Sequence, residues 1–214
     1  MSLTPSTMLA LGTPAAEFFL PDVISGVKMS LQDFDGLKGL LVTFISRHCP
    51  YVQHVKKELA KLGKDYAGKS LGIVAISSND VTNYPDDAPD LLKQMAQEEG
   101  FNFPILYDAT QEAAKTYTAA CTPDFFLYDA KHRLVYRGQL DDSRPGNGKP
   151  VTGKDLRAAI DTLLAGRSIA EIFAAGGESL FRELESQVLA DLVLRGAGRI
   201  PRRARLCGGS CPDR

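Results

Sequence analysis

Cys49 is the residue of this chain whose type and setting most invite chemistry. It follows the apolar, β-prone run Leu40-Leu41-Val42-Thr43-Phe44-Ile45 and the polar turn Ser46-Arg47-His48. Pro50 comes next, at what reads as the first turn of a helix. Proline is favoured there because its missing N–H would be unpaired anyway. The thiol is therefore set at a helix N-terminus. Unpaired N–H groups and the helix dipole stabilise a thiolate at such a place, and the thiolate is the reactive form of the sulfur. Redox or nucleophilic sulfur chemistry is the reading. The competing one is a buried core thiol, a common setting for free cysteine. A place after the strand, rather than within it, argues against that.

The neighbours of Cys49 each carry two readings. His48 either supplies positive charge beside the thiol or is a packing or solvent-facing side chain. Ser46 either donates a hydrogen bond to the thiolate or its substrate, or caps the strand end. Arg47 is either a second cation for the site or a solvated surface group. His54 and Glu58 share a helical face at i, i+4. With His48 and Cys49 they could hold a metal, but ordinary solvated neighbours explain them more simply, and no metal is assigned. Cys207 and Cys211 form a C-x₃-C pair in a Gly-rich tail, a pattern too unspecific to carry a function.

The elements that must position Cys49 follow from periodicity. Phe18 to Pro21 and Val27 to Leu31 flank a turn at Ser25-Gly26 and read as a short N-terminal hairpin. Residues 39–45 form a core strand. Residues 50–66 carry Val52, Val55, Leu59 and Leu62 at helical spacing, with a Lys/Glu outer face. Strand 71–77, a loop at 83–89 and a helix over 90–99 stopped by Gly100 come next. A strand at 103–107, a helix at 110–119 and a hairpin of 124–128 with 134–140 follow. A Gly/Pro-rich loop at 141–153 leads to a helix at 154–165. Alternating strands and helices argue for an α/β sandwich, and the closing hairpin adds an antiparallel edge.

The bulk properties exclude several classes. A length of 214 residues fits one domain plus an appendage, and 44% hydrophobic residues can build a core without staples. A net charge of −1 gives no general case for nucleic acid or an anionic membrane. No run of about 18 apolar residues is present to span a bilayer. The start, Met1-Ser2-Leu3-Thr4-Pro5-Ser6-Thr7, lacks a basic segment followed by an apolar one, so a cytoplasmic protein is expected. Cysteines in that setting are more often chemical than structural. The composition changes near Gly166. Residues 1–166 are read as the main domain and 167–214 as a helical extension with a basic, cysteine-containing tail. In 167–194, Leu180, Leu184, Val188 and Leu192 recur at helical spacing. A stripe of that size must pack on the main domain or on a second chain, and of these a homodimer contact through this C-terminal helix is the favoured expectation.

The order of strand, cysteine at a helix start, β-α units and a Thr-Pro step before a hairpin resembles the thioredoxin fold. More closely, the chain resembles the peroxiredoxin-like branch of the alkyl hydroperoxide reductase/thiol-specific antioxidant family. The residues carrying this are Leu11 to Ala15, Phe44 to Val52, Ala75 to Asp80, Cys121 to Leu127 and Tyr136 to Gly146. They span roughly residues 8–166. The resemblance implies a thioredoxin-like three-layer α/β sandwich. It implies that Cys49 is the nucleophile and that Pro123 is a cis proline facing it, with Thr122 beside the substrate. It brings Cys121, two residues before that proline, near Cys49, where it either resolves an oxidised Cys49 or only lines the loop.

The chain also departs from the pattern. A dithiol motif would place a second cysteine at Val52. The peroxiredoxin proline seven residues before the cysteine is Val42, and the activating arginine falls on Pro123. Arg47 is a candidate to stand in for that arginine. The function implied is a thiol-based oxidoreductase acting on a peroxide, or else a thiol–disulfide exchange protein acting on partner proteins. An external thiol or a thioredoxin-like protein would complete the cycle, and no bound cofactor is required. A non-catalytic metal-binding or scaffold protein on the same fold is the alternative of another class.

Overall fold

In the computed structural model, which describes residues 9–167, one five-stranded sheet carries the architecture. Two short strands, β1 (Phe19–Pro21) and β2 (Lys28–Ser30), pair antiparallel as the expected hairpin. The chain then enters the sheet through β3 (Gly39–Phe44), which leads to α1 (Pro50–Asp65). Next come β4 (Leu71–Ser77), α2 (Pro89–Glu99), β5 (Ile105–Tyr107) and α3 (Glu112–Thr116). The hairpin of β6 (Asp124–Asp129) and β7 (Leu134–Gly138) precedes α4 (Lys154–Leu164). The strand order is β5-β4-β3-β6-β7. β3 runs parallel to β4 and antiparallel to β6.

β3 is central because every one of its residues is buried. Period-2 alternation sends its side chains to two separate cores. Leu41, with Ile45 just past the strand, packs with Val52, Val55, Leu59 and Leu62 of α1, Leu92 and Met95 of α2, and Leu156 and Ile160 of α4. Leu40, Val42 and Phe44 face the other way. They pack with Phe18, Phe34, and Ala113 and Tyr117 from α3 and the residue after it. Helices on both faces of a mixed sheet make the α/β sandwich that the pattern implies. Burying a side chain of this size contributes about 1.5–3 kcal/mol each, so the two cores fix the end of β3 firmly.

α1 is the helix the apolar spacing predicts, with Pro50 at its first position. A brace on its far side ties it to α4. Arg157 donates through Nε to Glu58 Oε1 at 2.7 Å, and its Nη1 lies 2.9 Å from Asp65. α2 ends at Gly100, whose φ of +70° terminates it in the left-handed region.

Several elements are shorter than the periodicity predicts. α3 occupies only five residues of the expected 110–119. Gln111 (φ +61°) and Thr118 (φ +52°) bracket it with left-handed backbone, which a helix cannot include. β5 begins at Ile105 because the preceding Pro104 has no N–H to give the ladder. β7 ends at Gly138, so Gln139 and Leu140 already belong to the loop. The 83–89 loop contains a 3₁₀ turn at Pro85–Asp87. The expected helix over 167–194, its apolar stripe and the Cys207–Cys211 pair lie in residues outside the described ones, apart from Arg167.

Candidate functional site

The sheet topology brings three chain segments to one edge. β3 and β4 are parallel and in register, Phe44 opposite Ile76, so both leave the sheet at the same edge. β6 is antiparallel to β3 and starts there, with Asp124 opposite Phe44. The residues after β3 (45–49), those after β4 (78–88) and those before β6 (121–123) are therefore neighbours.

Cys49 is the residue that caps α1, and its carbonyl accepts the Gln53 N–H at 2.9 Å. It is half-buried and carries a free thiol. Its Sγ donates to the carbonyl oxygen of Thr122 at 3.1 Å. The Thr122–Pro123 bond is cis, as the resemblance implies. Cys121 is also a free, half-buried thiol. It is pushed up to about 12, chiefly by burial, with the Asp124 carboxylate adding to the shift, Arg137 opposing it, and Cys49 close enough to contribute. The segment carrying Cys121 thus lies against Cys49, but its own thiol is held protonated.

The three residues before Cys49 converge on a carboxylate that sequence reasoning missed. Asp87 is completely buried, at 0% exposure. Its Oδ1 accepts the backbone N–H of Arg47. The Ser46 hydroxyl donates to both its oxygens, at 3.2 Å and 3.0 Å. His48 Nδ1 lies 2.6 Å from its Oδ2, and Asn79 Nδ2 donates to that same oxygen at 2.7 Å. The His48 ring stacks parallel on Tyr84, with centroids 4.8 Å apart. Tyr84 is placed by an Asp80 turn: Asp80 accepts from the Thr82 N–H at 2.9 Å and from Asn83 at 2.6 Å, and these bonds hold its carboxyl below the usual range. No spacing rule in the polar 83–89 loop distinguishes the exposed Asp86 from the buried Asp87. The clue available in the sequence was topological, since a loop after a strand parallel to β3 must end beside Cys49.

The other expected residues divide. Ser46 and His48 face Asp87. The Arg47 guanidinium pairs with exposed Asp86 at 3.6 Å. His54 and Glu58 do not gather with Cys49. Glu58 is taken by Arg157, and His54 Nε2 lies 2.7 Å from Ser143 Oγ. Ser143 spends its own hydrogen on the Lys149 carbonyl at 2.7 Å, so His54 must be the donor. Among the described residues no group of three His, Cys, Asp or Glu side chains is placed to hold a metal.

Arg137 falls in the strand expected over 134–140. It is buried in β7, donates to the Thr118 carbonyl at 2.9 Å and to Asp124 at 3.2 Å, and lies 4.3 Å from the Phe126 ring centroid. The 141–153 loop is organised instead by Asp141, which is buried and accepts the N–H groups of Ser143, Thr152 and Gly153 at 2.9, 2.6 and 2.6 Å.

The AhpC/TSA family model matches residues 11–137. A hypothetical protein of Sinorhizobium meliloti 1021 is 51% identical in its crystal structure, with a TM-score of 0.76 over 78% of this chain and 90% of that one. Thiol-disulfide oxidoreductase ResA of Bacillus thuringiensis is 25% identical over 132 residues, 62% of this chain and 71% of ResA. The thioredoxin domain of a thiol-disulfide oxidoreductase from Bacteroides vulgatus, 22% identical with a TM-score of 0.52 over 61% of this chain and 89% of that one, shows the shared fold alone.

Proposed function

We propose, from the premise that this chain belongs to the AhpC/TSA family, that it is a thiol-based oxidoreductase whose nucleophile is Cys49 and whose first substrates are disulfides. The observation that carries this is the half-buried Cys49 thiol at the head of α1, in contact with Thr122 beside a cis proline. In the forward step the Cys49 sulfur attacks one sulfur of a disulfide. A new S–S bond forms and the old one breaks, and its electron pair leaves on the distal sulfur, which takes up a proton. A second thiol then attacks the mixed disulfide and releases reduced Cys49.

We assign that second thiol to an external donor rather than to Cys121. A thiol held near 12 by burial presents only ~10⁻⁵ of its population as thiolate at neutral pH, and thiolate is the attacking form. A low-molecular-weight thiol or a thioredoxin-like protein fills the role. Peroxide reduction at the same sulfur is the second reading, supported by the family match. There Cys49 would become a sulfenic acid and water would leave, before a thiol condenses with it. A cytoplasmic setting, where such thiols are kept reduced, belongs to the proposal. So does a dimer contact through residues 167–194, which removal of residues 167–214 and a solution mass measurement would test.

The deciding experiment compares wild type with Cys49→Ser in two assays, turnover of a protein disulfide and consumption of hydrogen peroxide, both with dithiothreitol. Loss of disulfide turnover in the variant is expected. Undiminished turnover in Cys49→Ser refutes the assignment, and peroxide consumption without disulfide turnover makes the second reading the function.

A further inference from the structure

Asp87 receives hydrogen bonds from three consecutive residues, and those residues are the ones that lead into Cys49. Its two oxygens are used differently. Oδ1 faces the Arg47 N–H, a donor that cannot change role. Oδ2 faces His48 Nδ1 at 2.6 Å and the Asn79 amide at 2.7 Å. A carboxylate only accepts, so the short contact requires a proton on His48 Nδ1. In the neutral ring the lone pair is then on Nε2. Among the described residues no partner occupies that nitrogen, and the His48 side chain is 33% exposed. Stacking on Tyr84 fixes the plane of the ring.

We propose that Asp87 is a positioning residue, which holds neutral His48 in the Nδ1–H form so that Nε2, on the residue before Cys49, is left to serve as its proton acceptor. This rests on the reading of Cys49 as a nucleophile toward disulfides. An incoming disulfide draws the Cys49 thiol off the Thr122 carbonyl, its partner in the free protein; Nε2 then takes the thiol proton as the sulfur attacks, and gives it to the departing thiolate. No net proton enters or leaves the pair of steps. Ser46 and Asn79 add their donors to the same carboxylate and keep it from turning.

Replacing Asp87 by asparagine makes the idea testable without substrate. The amide oxygen must stay on the Arg47 N–H, because two fixed donors cannot face each other. Its NH₂ then faces both His48 Nδ1 and Asn79, so Asn79 turns its own amide oxygen inward, Nδ1 has to accept, and the ring proton moves to Nε2. The test is ¹⁵N NMR of histidine-labelled full-length chain at about pH 9, above the ordinary histidine range. Wild-type His48 should be protonated on Nδ1, and Asp87→Asn should invert this. The Nε2–H form in wild type, or no inversion in a folded Asp87→Asn, overturns the proposal.

A second measurement leaves the buried carboxylate intact. His48→Asn keeps an N–H donor where Nδ1 was and removes the acceptor. Mass spectrometry then follows mixed-disulfide formation with oxidised glutathione in one turnover. The variant should react about 100-fold more slowly, the lower end of what a placed proton carrier contributes. An unchanged rate overturns the proposal while leaving Cys49 as the nucleophile. A wild type that forms no mixed disulfide at Cys49 overturns the underlying reading as well.

Discussion

The thiol of Cys49 donates to the Thr122 carbonyl across 73 residues of sequence, at 3.1 Å. An acceptor, not a second sulfur, is the immediate partner of Cys49. Cys121 sits one residue further back, close enough to sense Cys49 and pushed up to about 12 by its burial. The two thiols therefore differ in reactivity. With iodoacetamide at about pH 7.5, below the ordinary cysteine value, Cys49 should be labelled first and Cys121 should lag far behind. The Cys121 rate should go on rising well above pH 9. Peptide mass mapping of Cys49→Ser and Cys121→Ser chains reads both. Faster labelling of Cys121 at neutral pH would contradict the placement.

Gly63 should resist the change that helix propensity favours. It lies inside α1, where alanine is better than glycine by about 1 kcal/mol. A Cβ there would collide with Asn102 Oδ1, and would come within 2.9 Å of the Phe103 ring. The Asn102 amide also donates to the Gly63 carbonyl at 3.1 Å. Overpacking of this kind costs typically 1–3 kcal/mol, so the clash outweighs the propensity gain. Gly63→Ala is expected to lower the midpoint of urea unfolding, and a raised midpoint would show that the 100–104 segment yields freely.

Asp142 should titrate near 2, because Lys149 at 2.7 Å and Lys154 at 3.1 Å both favour its charged form. A carboxyl with a lowered folded value adds stability above the ordinary Asp range of about 4. That contribution fades as pH falls from about 4 toward the folded value. The pair is exposed, so salt screens it. NMR titration of the Asp142 carboxyl should give a midpoint well below the ordinary range, rising toward it in molar salt. An ordinary midpoint at low salt would mean that the lysines do not hold it.

The fold was legible wherever a local rule decided it. The run from Leu40 to Ile45, the apolar spacing of α1 and Gly100 after α2 each state their element within a short window. Cys49 was legible for the same reason, since strand, cysteine and proline are contiguous. Asp87 was not. Its burial depends on β4 lying parallel to β3, which no window around residue 87 contains. The partners of Arg137 were hidden for a related reason, because Thr118, Asp124 and Phe126, which fix it, lie outside its own window. α3 was overestimated because helical composition does not reveal the left-handed backbone at Gln111 and Thr118.

The meeting of three segments at one sheet edge also sets an order of events in time. Ser46 and Asp87 are 41 residues apart, and Cys49 and Thr122 are 73 apart. Contacts of such separation come late, because closing long loops must precede the contacts that reward it. A ribosome delivers Cys49 well before Thr122, and domains take shape as the chain emerges. During that interval the thiol emerges without the carbonyl that covers it in the finished domain. The sulfur that serves chemistry in the mature protein is thus, for the length of synthesis between β3 and β6, an uncovered thiol on an unfinished chain.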